Sequence, residues 1–247
     1  MRSYKLSNHI MRLGDTESEN KVIFFPFAGG SASYYRPLST VLNLNNIEVL
    51  AIQLPGRENN YSEPLIGSLT DMIELIFNEI KPYITENYCF FGHSMGGILC
   101  YEMLKKIKQE NLKEPINISI SSCAPPNYFN GKTSYFKCSD YDFLEFITNK
   151  GGTPKVLASN KELMKFFLPM IKKDYQAIEE YTDNNSIVIE SNLTLFCGDQ
   201  ETELIDYMAN WKSYCNVNPN LEIFEGDHFY LSVKSKELGV KLARMFK

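Results

Sequence analysis

The decapeptide Tyr88-Cys-Phe-Phe-Gly-His-Ser-Met-Gly-Gly97 constrains this chain more than any other stretch. An aromatic-rich apolar run ends at Gly92, and an amphipathic pattern begins at once and continues to Lys108. Strand, turn and helix must therefore follow one another with no loop between them. Gly92, Ser94 and Gly96 spell G-x-S-x-G at the junction. Glycine at the flanking positions lets strand and helix approach without a clashing Cβ, and the turn between them is tight and strained. Such a turn lifts the Ser94 hydroxyl to a helix N-terminus, where partial positive charge favours a developing oxyanion. The motif alone is weak; its place between strand and helix makes it a candidate nucleophile.

The rest of the chain keeps the same rhythm. Short apolar runs ending in Gly, Pro or Ser alternate with helical patterns, which predicts an α/β fold with a mostly parallel central sheet flanked by helices. The strand candidates are Val22–Phe25, Glu48–Leu54, Tyr88–Phe91, Ile116–Cys123, Leu193–Cys197 and Leu221–Phe224. Ser68 with Asp71 three residues on gives a capping signal, followed by Leu69, Met72, Ile73, Ile76 and Ile80 on one helical face. Further helices are predicted over Tyr34–Leu42, Gly97–Lys108, Leu204–Tyr214 and Lys236–Phe246. From about residue 125 to 187 the alternation stops, with helix-like stretches at Asp140–Asn149 and Lys161–Tyr181 and no clear strand. This reads as a helical insertion that would lie as a lid over a site at the carboxyl ends of the strands. The expectation is one domain over residues 1–247, carrying that insertion.

Composition narrows the function classes. With 44 % hydrophobic residues the chain can bury one sizeable core without metals or disulfides. A net charge of -5, with no basic block longer than a lysine pair, offers nothing to hold a phosphate backbone, so nucleic acid is not an expected partner. The six cysteines have no C-x-x-C spacing and read as reduced. Met1–Leu13 alternates polar and apolar residues and lacks the apolar stretch of a signal peptide, and no run is long enough to span a bilayer. The expectation is a soluble, cytoplasmic protein with no membrane partner, acting as a monomer.

A serine nucleophile needs a base, and the chain has only three histidines. His93 adjoins Ser94 and should diverge from it on the tight turn, supporting the elbow by hydrogen bonding or packing. His9 precedes the core without a local motif. His228 follows the strand Leu221–Phe224 on a loop, the place that the order Ser, acid, His of α/β-hydrolases gives the base. The acid should leave a strand end between Ser94 and His228. Gly198-Asp-Gln-Glu201 offers two carboxylates, Asp199 and Glu201, and spacing alone does not choose between them. Phe25-Pro-Phe-Ala-Gly-Gly-Ser31 leaves the first of these strands as a Gly-rich loop. An N–H from this loop and that of Met95, the residue after the nucleophile, would make an oxyanion hole. The loop lacks the endings of a P-loop or a dinucleotide site, and no cluster has metal-ligand spacing, so neither metal nor cofactor is expected.

With these segments in place, the chain resembles the type II thioesterases that accompany non-ribosomal peptide and polyketide synthases. The resemblance runs from about Val22 to the C-terminus. It rests on Phe25–Tyr35, Gln53-Leu-Pro-Gly-Arg57, Phe91–Gly97, Gly151-Gly-Thr-Pro154, Leu168-Pro169, Asp174-Tyr175, Glu180-Tyr181 and Gly226-Asp-His-Phe229. It implies a hydrolase that removes stalled or wrong acyl groups from the phosphopantetheine arm of acyl or peptidyl carrier proteins, the phosphopantetheine belonging to the substrate. Residue by residue it implies Ser94 as nucleophile, His228 as base, the N–H groups of Phe27 and Met95 as oxyanion hole, and Glu201 as acid where Asp is usual. It also implies that Pro125–Tyr181 is the lid. Lys161, Lys165, Lys172 and Lys173 would then offer a basic face to an acidic carrier, against the plainer reading of a solvated helix. Two rival readings stand beside it: a carboxylester or amide hydrolase with the same triad, and a binding module that has lost catalysis.

Overall fold

The computed structural model describes residues 2–129, 134–149, 161–216 and 218–246. Its centre is one eight-stranded sheet in the order β1-β2-β4-β3-β5-β6-β7-β8. The strands are β1 (Ser3–Lys5), β2 (Ile10–Leu13), β3 (Lys21–Phe25), β4 (Glu48–Ile52), β5 (Tyr88–His93), β6 (Asn117–Ser121), β7 (Asn192–Gly198) and β8 (Asn220–Phe224). From β4 to β8 all pairings are parallel, while β1 and β2 add an antiparallel edge through Arg12 opposite Leu50. The six strand candidates all lie in this sheet. The N-terminal pair β1–β2 extends it, and the alternation of polar and apolar residues before Leu13 is the period of strands.

Both faces of the sheet are covered, so side chains alternate between two cores. Ile23, Phe25, Phe90, Leu195 and Cys197 point into one cluster with α2 (Leu69–Ile80) and α3 (Met95–Gln109). Val22, Phe24, Phe91 and Phe196 point into the other, with α1 (Arg36–Leu44) and the C-terminal Leu238 and Leu242. The Ser68 hydroxyl accepts from the Asp71 N–H at 3.3 Å and caps α2, a contact of about 1 kcal/mol. Leu69, Met72, Ile73, Ile76, Phe77 and Ile80 form its buried face.

The break in alternation after β6 holds two α-helices among the described residues, α4 (Asp140–Asn149) and α5 (Lys161–Glu179). Phe143, Ile147, Met164 and Leu168 close a small cluster of their own between them. Farther along α5, Ala177 and Ile178 join the main core. One end of α5 thus packs within the insertion and the other joins the main core. Gly151–Pro154 of the sequence comparison lies outside the described residues. Beyond β7 follow α6 (Thr202–Met208), continued as a 3-10 turn through Ala209–Tyr214, then α7 (Tyr230–Val233) and α8 (Ser235–Ala243).

Candidate active site

The junction of β5 and α3 is closed by backbone fit. A Cβ on Gly92 would lie 2.0 Å from the Gly96 carbonyl oxygen, and one on Gly96 would lie 2.7 Å from the Phe25 carbonyl oxygen. Neither position admits a side chain. Between them Ser94 takes φ 52° and ψ -119°, a left-handed conformation that costs a serine about 1–3 kcal/mol. The bonds that hold it there are the Ser94 N–H to the Ser121 carbonyl at 2.8 Å and the Gly97 N–H to the Ser94 carbonyl at 2.9 Å. Ser94 is the cap residue of α3, so the Met95 N–H stands at a helix N-terminus without an intrahelical acceptor.

The ends of β7 and β8 supply the acid–base pair. His228 Nδ1 meets Glu201 Oε1 at 2.6 Å, a bond in which the ring N–H donates to the carboxylate. Glu201 Oε2 accepts from the Ser122 hydroxyl at 2.5 Å, from the Cys197 thiol at 3.3 Å and from the Gly198 N–H at 3.2 Å. Burial works against its ionisation, but the bond and charge of His228, with help from Ser122 and Cys197, win and hold the carboxyl at about 2. Of the two carboxylates the sequence offered, Glu201 therefore faces the imidazole. Asp199 Oδ1 instead accepts the Gly226 N–H at 2.9 Å and braces the loop that carries His228. The same two loops meet backbone to backbone, since a Cβ on Gly198 would lie 2.5 Å from the carbonyl oxygens of Gly226 and Asp227.

His93 is fully buried and points away from the turn, as the tight geometry requires, with Nδ1 on the Ser121 hydroxyl at 2.9 Å. That hydroxyl is in turn bonded to the Tyr230 phenol at 2.7 Å. The imidazoles of His93 and His228 lie 4.7 Å apart between centroids, which brings the His228 ring to the neighbour of Ser94. Burial first, and then the charge of His228, push the His93 pKa well below the ordinary value, so His93 stays neutral. His9 is remote from this cluster and donates to the Gln53 carbonyl at 3.0 Å.

The loop after β3 turns back through a bond from the Gly30 N–H to the Phe27 carbonyl at 2.8 Å. Its approach to the elbow is fixed by the close contact of Gly96 with the carbonyls of Phe25 and Pro26, next to Phe27. Three buried side chains hold this loop from outside. Gln53 Oε1 accepts the Ala32 N–H at 2.7 Å, Arg57 Nε donates to the Gly30 carbonyl at 2.8 Å, and Asp174 Oδ2 accepts the Gly29 N–H at 2.7 Å. Arg57 and Asp174 are also an ion pair. Sequence reasoning singled out the segments containing Gln53, Arg57 and Asp174 without giving them a task. Ser122 and Cys197 have no part in the site as read from sequence, because a lone serine or thiol at a strand end carries no local signal.

Among the lysines of α5, Lys165 pairs with Glu162 at 3.0 Å and Lys172 with Asp140 at 2.6 Å, so part of the proposed basic face is offset. Among the described residues no group of His, Cys, Asp and Glu could hold a metal ion. No helix there is long and apolar enough to cross a membrane.

Comparison with known proteins matches these features. The family model described as "Thioesterase domain" matches residues 20–244. The gramicidin S biosynthesis protein GrsT of Aneurinibacillus migulanus is 28 % identical over 219 residues, covering 88 % of this chain and 85 % of its own. The structure of ClbQ from the colibactin NRPS/PKS pathway superposes with a TM-score of 0.82 at 27 % identity, covering 92 % of this chain and 96 % of that one. The type II thioesterase BorB from the borrelidin biosynthetic cluster shares the fold with a TM-score of 0.87 at 23 % identity, covering 97 % and 98 %. The match over nearly the whole chain, with a serine on a strand-to-helix elbow and a carboxylate-bound histidine whose ring lies against that serine's neighbour His93, makes this protein a member of the thioesterase domain family and a hydrolase of thioesters.

Proposed function

We propose that the protein removes stalled or aberrant acyl groups from the phosphopantetheine arm of carrier proteins in non-ribosomal peptide or polyketide synthesis. The observation that carries this reading is the Glu201–His228 pair, its imidazole against His93 beside the Ser94 elbow, in a thioesterase-family chain. It is joined to the likeness with GrsT, named for gramicidin S biosynthesis, and with ClbQ, named for an NRPS/PKS pathway. The partner is then an acyl or peptidyl carrier domain, and the protein itself brings no cofactor.

The chemistry follows from the groups in place. With Nδ1–H held by Glu201, the other ring nitrogen of His228 is the base. It takes the Ser94 proton as the hydroxyl oxygen adds to the thioester carbonyl. The N–H groups of Met95 and Phe27 receive the oxyanion, and the His228 imidazolium is stabilised by the Glu201 carboxylate. The C–S bond breaks, the thiol of the arm leaves with the proton from His228, and Ser94 carries the acyl group as an ester. Water then adds with His228 again as base, releasing the acid and regenerating Ser94. A neutral His93 behind His228 adds no second positive charge beside the imidazolium. The helices α4 and α5 would act as the lid that admits the arm.

The test compares one acyl group presented on a phosphopantetheinylated carrier protein, on coenzyme A and as an oxygen ester, with wild type and Ser94→Ala. The reading expects the carrier thioester to be cleaved fastest, and Ser94→Ala to lower kcat by roughly 10⁴- to 10⁶-fold. Preference for the oxygen ester would replace the substrate class by that of a carboxylester hydrolase. Binding of carrier without cleavage of any substrate would make the protein a binding module.

A further inference from the structure

The ion pair of Arg57 and Asp174 joins residues 117 positions apart in sequence and is almost wholly removed from water, with side chains 4 % and 1 % exposed. Isolated burial of two charges is expensive. A well-packed apolar pair is often as stable or more so, which makes stability a weak reason for an ion pair here. Both partners also bond the backbone of Gly29–Gly30, and Arg57 in addition holds its own loop at Pro55. Arg57 donates from Nε to the Gly30 carbonyl at 2.8 Å and from Nη1 to the Pro55 carbonyl at 2.8 Å. Asp174 Oδ2 accepts the Gly29 N–H at 2.7 Å as well as the guanidinium. On the same side Ile171 packs on Gly29, where an added Cβ would lie 3.0 Å from its Cγ1 and φ is +78°. Gly29 and Gly30 are the residues whose turn returns a bond to the Phe27 carbonyl. Asp174 and Ile171 belong to α5, the helix whose Met164 and Leu168 pack in the small cluster with α4.

We infer that Asp174, acting with Arg57, is a positioning residue that ties α5 to the loop presenting the Phe27 N–H, so that the oxyanion hole is set only while α5 is docked. This rests on the reading of Ser94 and Phe27 given above. The device makes hydrolysis conditional on lid placement: displacing α5 removes the acceptor from the Gly29 N–H and leaves Arg57 without its counter-charge. The loop is then free to turn its N–H groups away from the carbonyl. Neither Arg57 nor Asp174 touches the reacting atoms in this account.

The experiment uses the full chain with Asp174→Asn and, as a second variant that keeps the positive charge but loses the planar fork, Arg57→Lys. Active sites are titrated with a fluorophosphonate so that kcat is expressed per folded Ser94. KM for an acyl thioester and the inhibition constant of an acyl trifluoromethyl ketone, whose hemiketal carries an oxyanion, are then measured. The expected result is a fall in kcat of about 10- to 10²-fold, the scale of a small misplacement of a catalytic group, with KM changed less than about threefold. The inhibition constant of the ketone should rise by the same factor as kcat falls. Unchanged kcat and ketone binding per titrated site, with only a lower Tm, would reduce the pair to a structural contact. A rise in KM alone would move its task to shaping the acyl channel. Either overturns the inference. Wild type that neither turns over the thioester nor binds the ketone would instead contradict the reading of Ser94 on which the inference rests.

Discussion

The two sides of the candidate site are held by different means. The nucleophile side is fixed by main chain against main chain. Gly92 touches Gly96, Gly96 touches Phe25, and Ser94 is bound through its own N–H and carbonyl. The opposite side, made of the 27–32 loop and the ends of β7 and β8, has backbone contacts of its own, such as Gly198 against Gly226 and Asp227, but is held in addition by side chains that arrive from far along the sequence. Asp174 reaches Gly29, Gln53 reaches Ala32, Ser122 reaches Glu201, and Asp199 reaches Gly226. Backbone fit leaves one geometry and tolerates no substitution. Side-chain bonds can be broken one at a time, and that is where the site can be adjusted or gated.

This contrast gives predictions that differ in kind. On the side-chain side, Glu201→Gln is expected to lower kcat by about 10² to 10⁴ while leaving the fold intact, because the imidazole loses the charge that stabilises its cation. Asp199→Asn should cost less than about tenfold, since Asp199 braces the Gly226 loop and does not face His228. Steady-state kinetics of the two variants on one thioester decide the matter, and a reversed order would move the acid to Asp199.

On the backbone side, Gly92→Ala has nowhere to put its methyl group and should cost about 3 kcal/mol of stability or prevent folding. Denaturant unfolding measures this, and a stable, active Gly92→Ala protein would break the claim that the elbow rests on backbone contact.

A further effect concerns pH. The Glu201 carboxyl is depressed to about 2 in the folded protein, below its unfolded value of about 4.3. Its contribution is therefore fully present above the unfolded value and is lost as pH falls from there through about 2. After allowance for its partial exposure this amounts to roughly 2 kcal/mol, which Glu201→Gln should erase from the acid limb of an unfolding-against-pH series. Parallel acid limbs for the two proteins would mean that the His228 bond does not hold the carboxylate.

The same contrast explains what the sequence made legible. The elbow could be read because its causes are local: an apolar strand, glycines two residues either side of a serine, and a helix that starts at once. His228 could be read because it follows a strand in the right order. The choice between Asp199 and Glu201 could not, because it depends on a loop contact with Gly226, 27 positions away. The clamp of Arg57 on Asp174 has no periodicity and no spacing rule, only a meeting across 117 positions. The edge strands β1 and β2 are a different case. Their alternation is visible in Met1–Leu13, but three and four residues are too short to outweigh the polar residues between them.

The central claim, that Ser94 accepts the acyl group from a thioester, is tested most directly by trapping. Glu201→Gln is mixed with an acyl carrier thioester, quenched within one turnover, digested and read by mass spectrometry. The account predicts the acyl mass on the peptide containing Ser94, absent when Ser94→Ala is added to the same background. Acyl transfer to another residue, or acyl release by Ser94→Ala at the wild-type rate, would contradict it.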